Sequence, residues 1–327
     1  MVASQDGILV GLAMALIKWP VVLPLAASVL YILFKNAPAA PESVQNFFKD
    51  FNVGGHRGSP LRQPENTMAS MDQAKAEGAD LIEFDVALTK DGVAVILHDD
   101  TLDRTTNLTG PIRQYLHKDL TSVNCAAKFT PLAINGPSTP VTNASMPTLE
   151  EIVIWAKKNN MKMLFDVKDS DAILVDQLNK LFDQYKLHAD GIVCSFFPIV
   201  IYRIKKLCPQ ILTGLTWRRW FYSHTDLESR IPRFSGPAHY LAVALDVLNV
   251  WGIKSWLPGF LGADMVLTER SEISQVFIDQ QRAYDRRVCA WTVNDLNELN
   301  WMRQTLNIPV LTDKPFLIEQ IGKPIKA

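Results

Sequence analysis

The sequence predicts an α/β fold, a (β/α)8 TIM barrel of parallel strands. Three observations carry this. From about residue 43 onward, short apolar runs alternate with helix-like runs, the pattern of a parallel sheet with crossover helices. The runs that read as parallel strands number eight. The 327 residues suffice for one such barrel with a short extra segment and no second large domain.

The first element is of a different material. Residues 7–34 are apolar apart from Lys18 and scattered small residues, long enough to cross a bilayer core at ~1.5 Å per residue. The sequence therefore predicts an N-terminal membrane helix, with residues 1–42 as anchor and connector and residues 43–327 as the barrel. A cleaved signal peptide competes, although no basic stretch precedes Gly7, as does a hairpin broken at Lys18 and Pro20. Asn107-Leu-Thr and Asn143-Ala-Ser are glycosylation sequons, which point to a lumenal or extracellular catalytic part; Lys35 and Lys49 lean the other way.

The barrel strands are expected at 52–55, 81–88, 161–167, 191–196, 212–217, 264–267, 287–293 and 310–312. The helix after the first should open near Asn66-Thr67 and close at Gly78, with Met68, Met71 and Ala74 on one face. A further run, 93–98, follows the second strand after only Thr89-Lys-Asp-Gly92. Parallel neighbours need a long crossover, so this run folds back as an antiparallel hairpin, with Gly92 supplying a positive φ. Counting back from the turn sets His98 opposite Glu83 or Phe84. From about 103 to 147 the pattern lapses, as expected of a small insertion over one end of the barrel. Residues 240–261 are apolar again but contain Asp246 and Lys254, and three strands must still follow to close the barrel. They read as a membrane-surface segment or an ordinary barrel helix rather than a second span.

A net charge of −1 and a pI near 6.6 provide no basic face for nucleic acid. The four cysteines lack metal or disulfide-scaffold spacing, and Cys194 and Cys289 sit in apolar runs as buried thiols.

In Leu81-Ile-Glu-Phe-Asp-Val-Ala-Leu88, alternation sets Glu83 and Asp85 on one face and Ile82, Phe84 and Val86 on the other. Two inward carboxylates call for a cation, and oxygen-only donors suit Mg²⁺ or Ca²⁺. The run 161–168 adds Asp166 as a third carboxylate and Lys168 as a positive group for an anionic substrate. At the end of the first strand, Gly54-Gly-His-Arg-Gly58 presents Arg57, whose planar fork matches two phosphate oxygens. His56 and His98 then form an acid and base pair, one activating water and the other protonating a leaving alkoxide. Trp291 is more often core than ligand in a strand, yet near a barrel mouth it can pack on a glycerol or acyl group. The run Trp217-Arg-Arg-Trp220 follows a strand end and reads as a solvated loop, with contact to phosphate or lipid head groups as the alternative.

With these residues assembled, the chain resembles the glycerophosphodiester phosphodiesterase family. The motifs are His56-Arg57-Gly58, Pro64-Glu65-Asn66-Thr67, Glu83-Phe84-Asp85, His98-Asp99, Trp291-Thr292-Val293-Asn294 and Thr312-Asp313-Lys314-Pro315, in the family's order. The resemblance spans about residues 53–315. It implies a divalent metal on Glu83, Asp85 and Asp166, His56 and His98 as the catalytic pair, and Arg57 and Lys168 on phosphate, with Glu65 and Asn66 as further site candidates. One departure stands out: many members carry Glu where this chain has Asp166, one methylene shorter. The implied activity is hydrolysis of glycerophosphodiesters such as glycerophosphoinositol or glycerophosphoethanolamine to glycerol 3-phosphate and an alcohol. A lysophospholipase D acting on lysophospholipids or their N-acyl forms is the enzymatic alternative, and a noncatalytic membrane adaptor the alternative of another class.

Overall fold

Residues 22–132, 139 and 141–323 are described by the computed structural model. The strands are β1 (Val53–Gly55), β2 (Leu81–Leu88), β3 (Ala94–Ile96), β4 (Lys162–Val167), β5 (Gly191–Ser195), β6 (Leu212–Trp217), β7 (Met265–Glu269), β8 (Arg287–Trp291) and β9 (Val310–Thr312). The helices begin with α1 (22–34), α2 (Pro41–Lys49), α3 (Met68–Ala76), α4 (Leu149–Asn159) and α5 (Ala172–Tyr185). They continue with α6 (Pro198–Leu207), α7 (Pro237–Ser255), α8 (Leu257–Leu261), α9 (Gln275–Arg282) and α10 (Leu296–Asn300).

Around the barrel the strand order is β1-β9-β8-β7-β6-β5-β4-β2, and β1 pairs with β2 to close it; every one of these pairings is parallel. The expected eight-stranded parallel barrel is thus present, and its strands fall on the eight runs expected. Strand β3 lies outside the ring, antiparallel on β2, with Val86 opposite Ile96. Extending that register by two residues puts His98 opposite Phe84, and Gly92 turns the hairpin at φ +77°.

Helix α3 begins where expected because Thr67 caps it, its hydroxyl accepting the Ser70 N–H at 3.3 Å. Beyond its end, Gly78 takes φ +87°. Met71 and Ala74 on its inner face are fully buried.

Alternation along β2 divides the core. Ile82, Phe84 and Val86 point outward into the layer between strands and helices, where Phe84 meets Phe165 edge-on at 4.9 Å. Leu81 points into the barrel, in a layer with Leu164, Ile192, Leu212, Met265 and Leu311. That layer is closed from below by α2, which inserts Phe47 and sets Phe51 beside it. Each ring burial stabilises by about 2 kcal/mol. With the lower end filled by hydrocarbon, the polar inward residues Glu83 and Asp85 occupy the opposite end, beyond the carboxyl ends of the shorter strands.

Between β3 and α4, the segment carries its own small core: Leu102, Ile112, Leu120, Val123 and Met146 pack on Ala87, Val95 and Leu97 of the hairpin. Thr148 and Glu151 then form a reciprocal capping box that starts α4.

No helix among the described residues is long and apolar enough to cross a membrane. The first part of the expected anchor, residues 7–21, lies outside the described residues; its remainder is α1. The 240–261 segment forms α7 and α8. It leaves β6 and returns to β7, its immediate neighbour in the sheet, with Gly214 opposite Met265.

Candidate active site

The cleft at the carboxyl end of the barrel has a volume of about 570 Å³, and its lining includes His56, Arg57, Glu83, Asp85, His98, Asp166 and Lys168. Seven residues expected from the sequence thus share one cavity.

The His56-Arg57-Gly58 turn is shaped by close approach. Arg57 adopts φ 55° and Gly58 φ 84°, so the chain doubles back under the start of α3. A Cβ on Gly58 would stand 2.6 Å from the Ser70 carbonyl oxygen, and one on Gly55 2.5 Å from the Gly58 oxygen. Only glycine fits either position. In return, the Arg57 backbone N–H donates to Glu83 at 2.7 Å, and the Ser70 hydroxyl donates to the Arg57 carbonyl.

Each imidazole is held by a carboxylate. His56 Nδ1 lies 2.7 Å from Asp313 Oδ1, and His98 Nδ1 lies 2.6 Å from Asp99 Oδ1. A carboxylate only accepts, so each Nδ1 carries the proton of its bond and leaves Nε2 free for chemistry. The supports extend further. Asn294 donates to Asp313 at 2.6 Å and accepts the Asp313 N–H at 2.8 Å. Arg104 binds Asp99 at 2.7 Å and reaches Glu65 with two nitrogens at 2.7 and 2.8 Å. Burial and Arg57 push the His56 pKa down, but Glu83 and Asp313 outweigh them and raise it above 6.5.

Glu83, Asp85 and Asp166 are buried and offer oxygens that all lie within 4.8 Å of one another. Asp166 sits opposite Asp85 across the β2–β4 ladder, so the shorter side chain reaches the cluster. Lys168 bridges Asp85 at 3.1 Å and Asp166 at 2.9 Å, while Arg57 Nε stands 3.4 Å from Asp85. Burial favours protonated Asp85, but Lys168 and Arg57 prevail and hold it well below the usual carboxylate range. Glu83 is pushed the other way, up to about 8, first by burial and then by the charge of Asp85. Three buried carboxylates outnumber the cations within reach, and Glu83 answers the excess by holding a proton at neutral pH. Hard oxygen donors with excess charge fit a divalent cation.

The remaining expected residues are also placed. Glu65 accepts from Arg57 at 3.0 Å, so the Arg57 fork is partly engaged within the site. Asn66, at φ 58°, donates to Asp85 at 2.8 Å. Trp291 lines the cleft, edge-on to Phe196 at 5.6 Å, and Phe196 stacks on Phe221 at 4.8 Å.

The Trp217-Arg-Arg-Trp220 run corrects an expectation. Trp217 is buried, its indole N–H donating to Thr268, and Arg218 is buried with its guanidinium donating to the carbonyls of His224 and Asp226 at 2.8 and 3.0 Å. The first half of the run is therefore not solvated, Arg218 being the internal pillar of the 218–236 segment, whereas Arg219 is exposed and Trp220 half-buried. Sequence reasoning also missed Asp99, Arg104, Asn294 and Asp313 as supports and Phe196 and Phe221 as a wall. Asp99, Asn294 and Asp313 stood within recognised motifs and Arg104 within the Leu102-Asp-Arg-Thr-Thr106 stretch that the resemblance also covers; Phe196 and Phe221 had no local signal.

A family model described as the glycerophosphoryl diester phosphodiesterase family matches residues 56–317. Glycerophosphodiester phosphodiesterase 1 of Bos taurus is 34% identical over 260 residues, covering 79% of this chain and 76% of the relative. Its Homo sapiens counterpart is 32% identical over the same shares. Among solved structures, a glycerophosphodiester phosphodiesterase from Agrobacterium tumefaciens aligns with TM-score 0.62 at 20% identity, covering 83% of this chain and 100% of that one. An Oleispira antarctica phosphodiesterase in complex with the product sn-glycerol-3-phosphate aligns with TM-score 0.63 at 20% identity, covering 84% and 98%. The chain belongs to the glycerophosphoryl diester phosphodiesterase family of hydrolases.

Proposed function

We propose that the chain is a metal-dependent hydrolase that cleaves glycerophosphodiesters, such as glycerophosphoinositol or glycerophosphoethanolamine, to glycerol 3-phosphate and an alcohol. The observation that carries this reading is the meeting, in one cleft, of two carboxylate-bound imidazoles with an acidic cluster and the cations Arg57 and Lys168. Arg57 and Lys168 orient the phosphodiester by charge. One imidazole Nε2 takes a proton from water as its oxygen bonds to phosphorus. The other donates a proton to the departing oxygen as the P–O bond breaks, so each histidine exchanges one proton and the pair is restored through solvent. Glu83, Asp85 and Asp166 would hold Mg²⁺ or Ca²⁺, which when bound offsets negative charge on the phosphoryl oxygens. The motif charges face one cleft together, which lends nothing to a noncatalytic adaptor.

A second reading, lysophospholipase D, has its own support. Phe196, Phe221 and Trp291 form an aromatic wall beside Lys168, whose ammonium lies 5.8 Å from the Phe196 ring. Exposed Phe197 and Leu227 continue that wall outward, a track suited to a single acyl chain.

We also place the enzyme at a membrane through residues 7–34, with the barrel lumenal or extracellular. In support, Asn107 and Asn143 are both exposed, as glycosylation acceptors must be.

The test is release of glycerol 3-phosphate from a panel of glycerophosphodiesters and lysophospholipids by detergent-solubilised protein, with and without Mg²⁺ or Ca²⁺, beside Glu83→Ala. Metal-dependent release that Glu83→Ala lacks supports the first reading. Lysophosphatidic acid as the main product moves it to the second, and no turnover of either class overturns both.

A further inference from the structure

Helix α7 has its polarity inside out. Between Tyr240 and Trp251 the only charged residue is Asp246, and it faces inward, buried, accepting the Tyr222 and Ser223 N–H groups at 2.8 and 2.9 Å. The outward face is hydrocarbon: Leu241, Leu248 and Trp251 are each more than 60% exposed. A barrel helix normally turns apolar residues to the strands and charge to water. An apolar outer face this long marks a surface with an apolar partner.

Helix α1 extends the same face. Its apolar side chains and those of α6, α7 and α8 border a groove of about 1070 Å³, with Tyr31 packed on Phe260 at 5.6 Å. The junction behind α1 is fixed. The Asn36 N–H donates to the Phe260 carbonyl at 2.9 Å, and the Ala39 N–H donates to Asp264, which is paired at 2.7 Å with buried Lys205. What surrounds α1 therefore also surrounds α7.

We propose that the wall formed by α1 and α7 lies flat against a lipid bilayer, and that the 218–236 segment carries this contact to the mouth of the cleft. Three observations select lipid as the occupant. In sequence, residues 7–17 ahead of α1 are uncharged and Lys18 is the one charge between them and α1, a composition suited to hydrocarbon. Tyr240 stands near one end of α7, and Trp251 and Trp256 stand at and just beyond the other, side chains that settle at the lipid–water boundary. The 218–236 segment exposes Leu227, Ile231 and Phe234 among the charged Glu228, Arg230 and Arg233, and Leu227 also lines the cleft, so the stretch between wall and site carries apolar and basic side chains together, the mixture of a lipid headgroup boundary. An amphiphilic phosphodiester is thus taken from the bilayer surface with its chain still in lipid. The proposal rests on the anchor and substrate readings above.

The test uses the full-length chain in phosphatidylcholine vesicles, with flotation as the control for anchoring. In vesicles of brominated lipid the wild-type tryptophan emission is quenched, and Trp251→Phe/Trp256→Phe loses at least about half of that quenching, as expected of rings at the boundary. Leu241→Asp/Leu248→Asp lowers turnover of vesicle-borne lysophospholipid about tenfold, in line with the cost of charge on a lipid-facing position. Turnover of soluble glycerophosphodiester by that variant stays unchanged. Flotation with equal quenching in both chains overturns the docked wall and leaves the anchor standing; failure to float overturns both. Crosslinked dimers through Leu248→Cys, without quenching, assign the face to a second copy instead. Quenching with no turnover of any diester leaves the docked wall intact and removes the substrate reading.

Discussion

Asp313 accepts the Nδ1 proton of His56 from 257 residues further along the chain, at 2.7 Å. The last barrel strand thus delivers the group that sets the tautomer of a histidine on the first. Asp313→Asn offers a neutral amide that can present either a donor or an acceptor to the ring, so the orientation is no longer enforced. We expect kcat to fall by about 10²-fold with KM little changed, the range seen for a misdirected acid or base. Steady-state kinetics on a soluble glycerophosphodiester checks it.

The same pair has a pH signature in chelator-treated protein. Despite burial and Arg57, Glu83 and Asp313 raise the His56 pKa above 6.5, so its contribution to stability is full below 6.5 and lost as pH rises through the folded value. Despite burial, His56 and Asn294 lower the Asp313 pKa below 3.8, so its contribution is full above 3.8 and lost as pH falls through the folded value. The stability advantage of wild type over Asp313→Asn should peak between those two pH values and shrink on either side. Urea melts across pH 3 to 9 measure it, and a flat difference contradicts the pairing.

Glu83→Gln should separate stability from activity. The amide keeps an acceptor for the Arg57 N–H and mimics the protonated carboxyl, but it cannot ionise to hold a cation. Metal-free protein at neutral pH should gain on the order of 1 kcal/mol, since folding no longer has to protonate a carboxyl that is ionised in the unfolded chain. Activity should be lost. Thermal melts in chelator, beside turnover in Mg²⁺ or Ca²⁺, show whether the two move in opposite directions.

Gly58→Ala should be costly for its size. The new methyl group meets the Ser70 backbone at 2.6 Å, and φ +84° disfavours any side chain. We expect about 2–4 kcal/mol of destabilisation, from overpacking with an added backbone penalty. Activity should drop as well, because relief of the clash shifts the turn that carries His56 and Arg57.

Lys205→Met should destabilise by about 3–5 kcal/mol, because it leaves Asp264 charged and buried. Adding Asp264→Asn should recover a large part of that loss. Denaturant unfolding of the single and double variants decides it; equal stability of the two removes the ion pair as the cause.

The barrel was legible because its signals are local. Period-two alternation in 81–88 assigned Glu83 and Asp85 to one face, and a four-residue separation forced the hairpin that aligns His98 with Phe84. Long-range choices left no such trace. Nothing near Asp313 says which histidine it serves, and nothing near Glu65 says that it ties Arg57 to Arg104. Arg218 was misread because two arginines between tryptophans look solvated, whereas carbonyls of its own loop fold back to satisfy the first of them. The α2 plug was also missed. Phe47 and Phe48 are adjacent in sequence, and only assembly of the barrel decides which ring becomes its floor.

Among the strands β3 pairs only with β2, its other edge meeting Pro147 and Thr148, and it takes no part in the closed ring, whereas β1 is an integral stave of it. His56 therefore rides on the frame and His98 on an attachment to it. Drift, mutation or a ligand acting on the 102–146 cap can reposition His98 while His56 keeps its place on the barrel. Divergence at this site is mechanically cheapest on the His98 side, where a change of pitch leaves the ring unbroken.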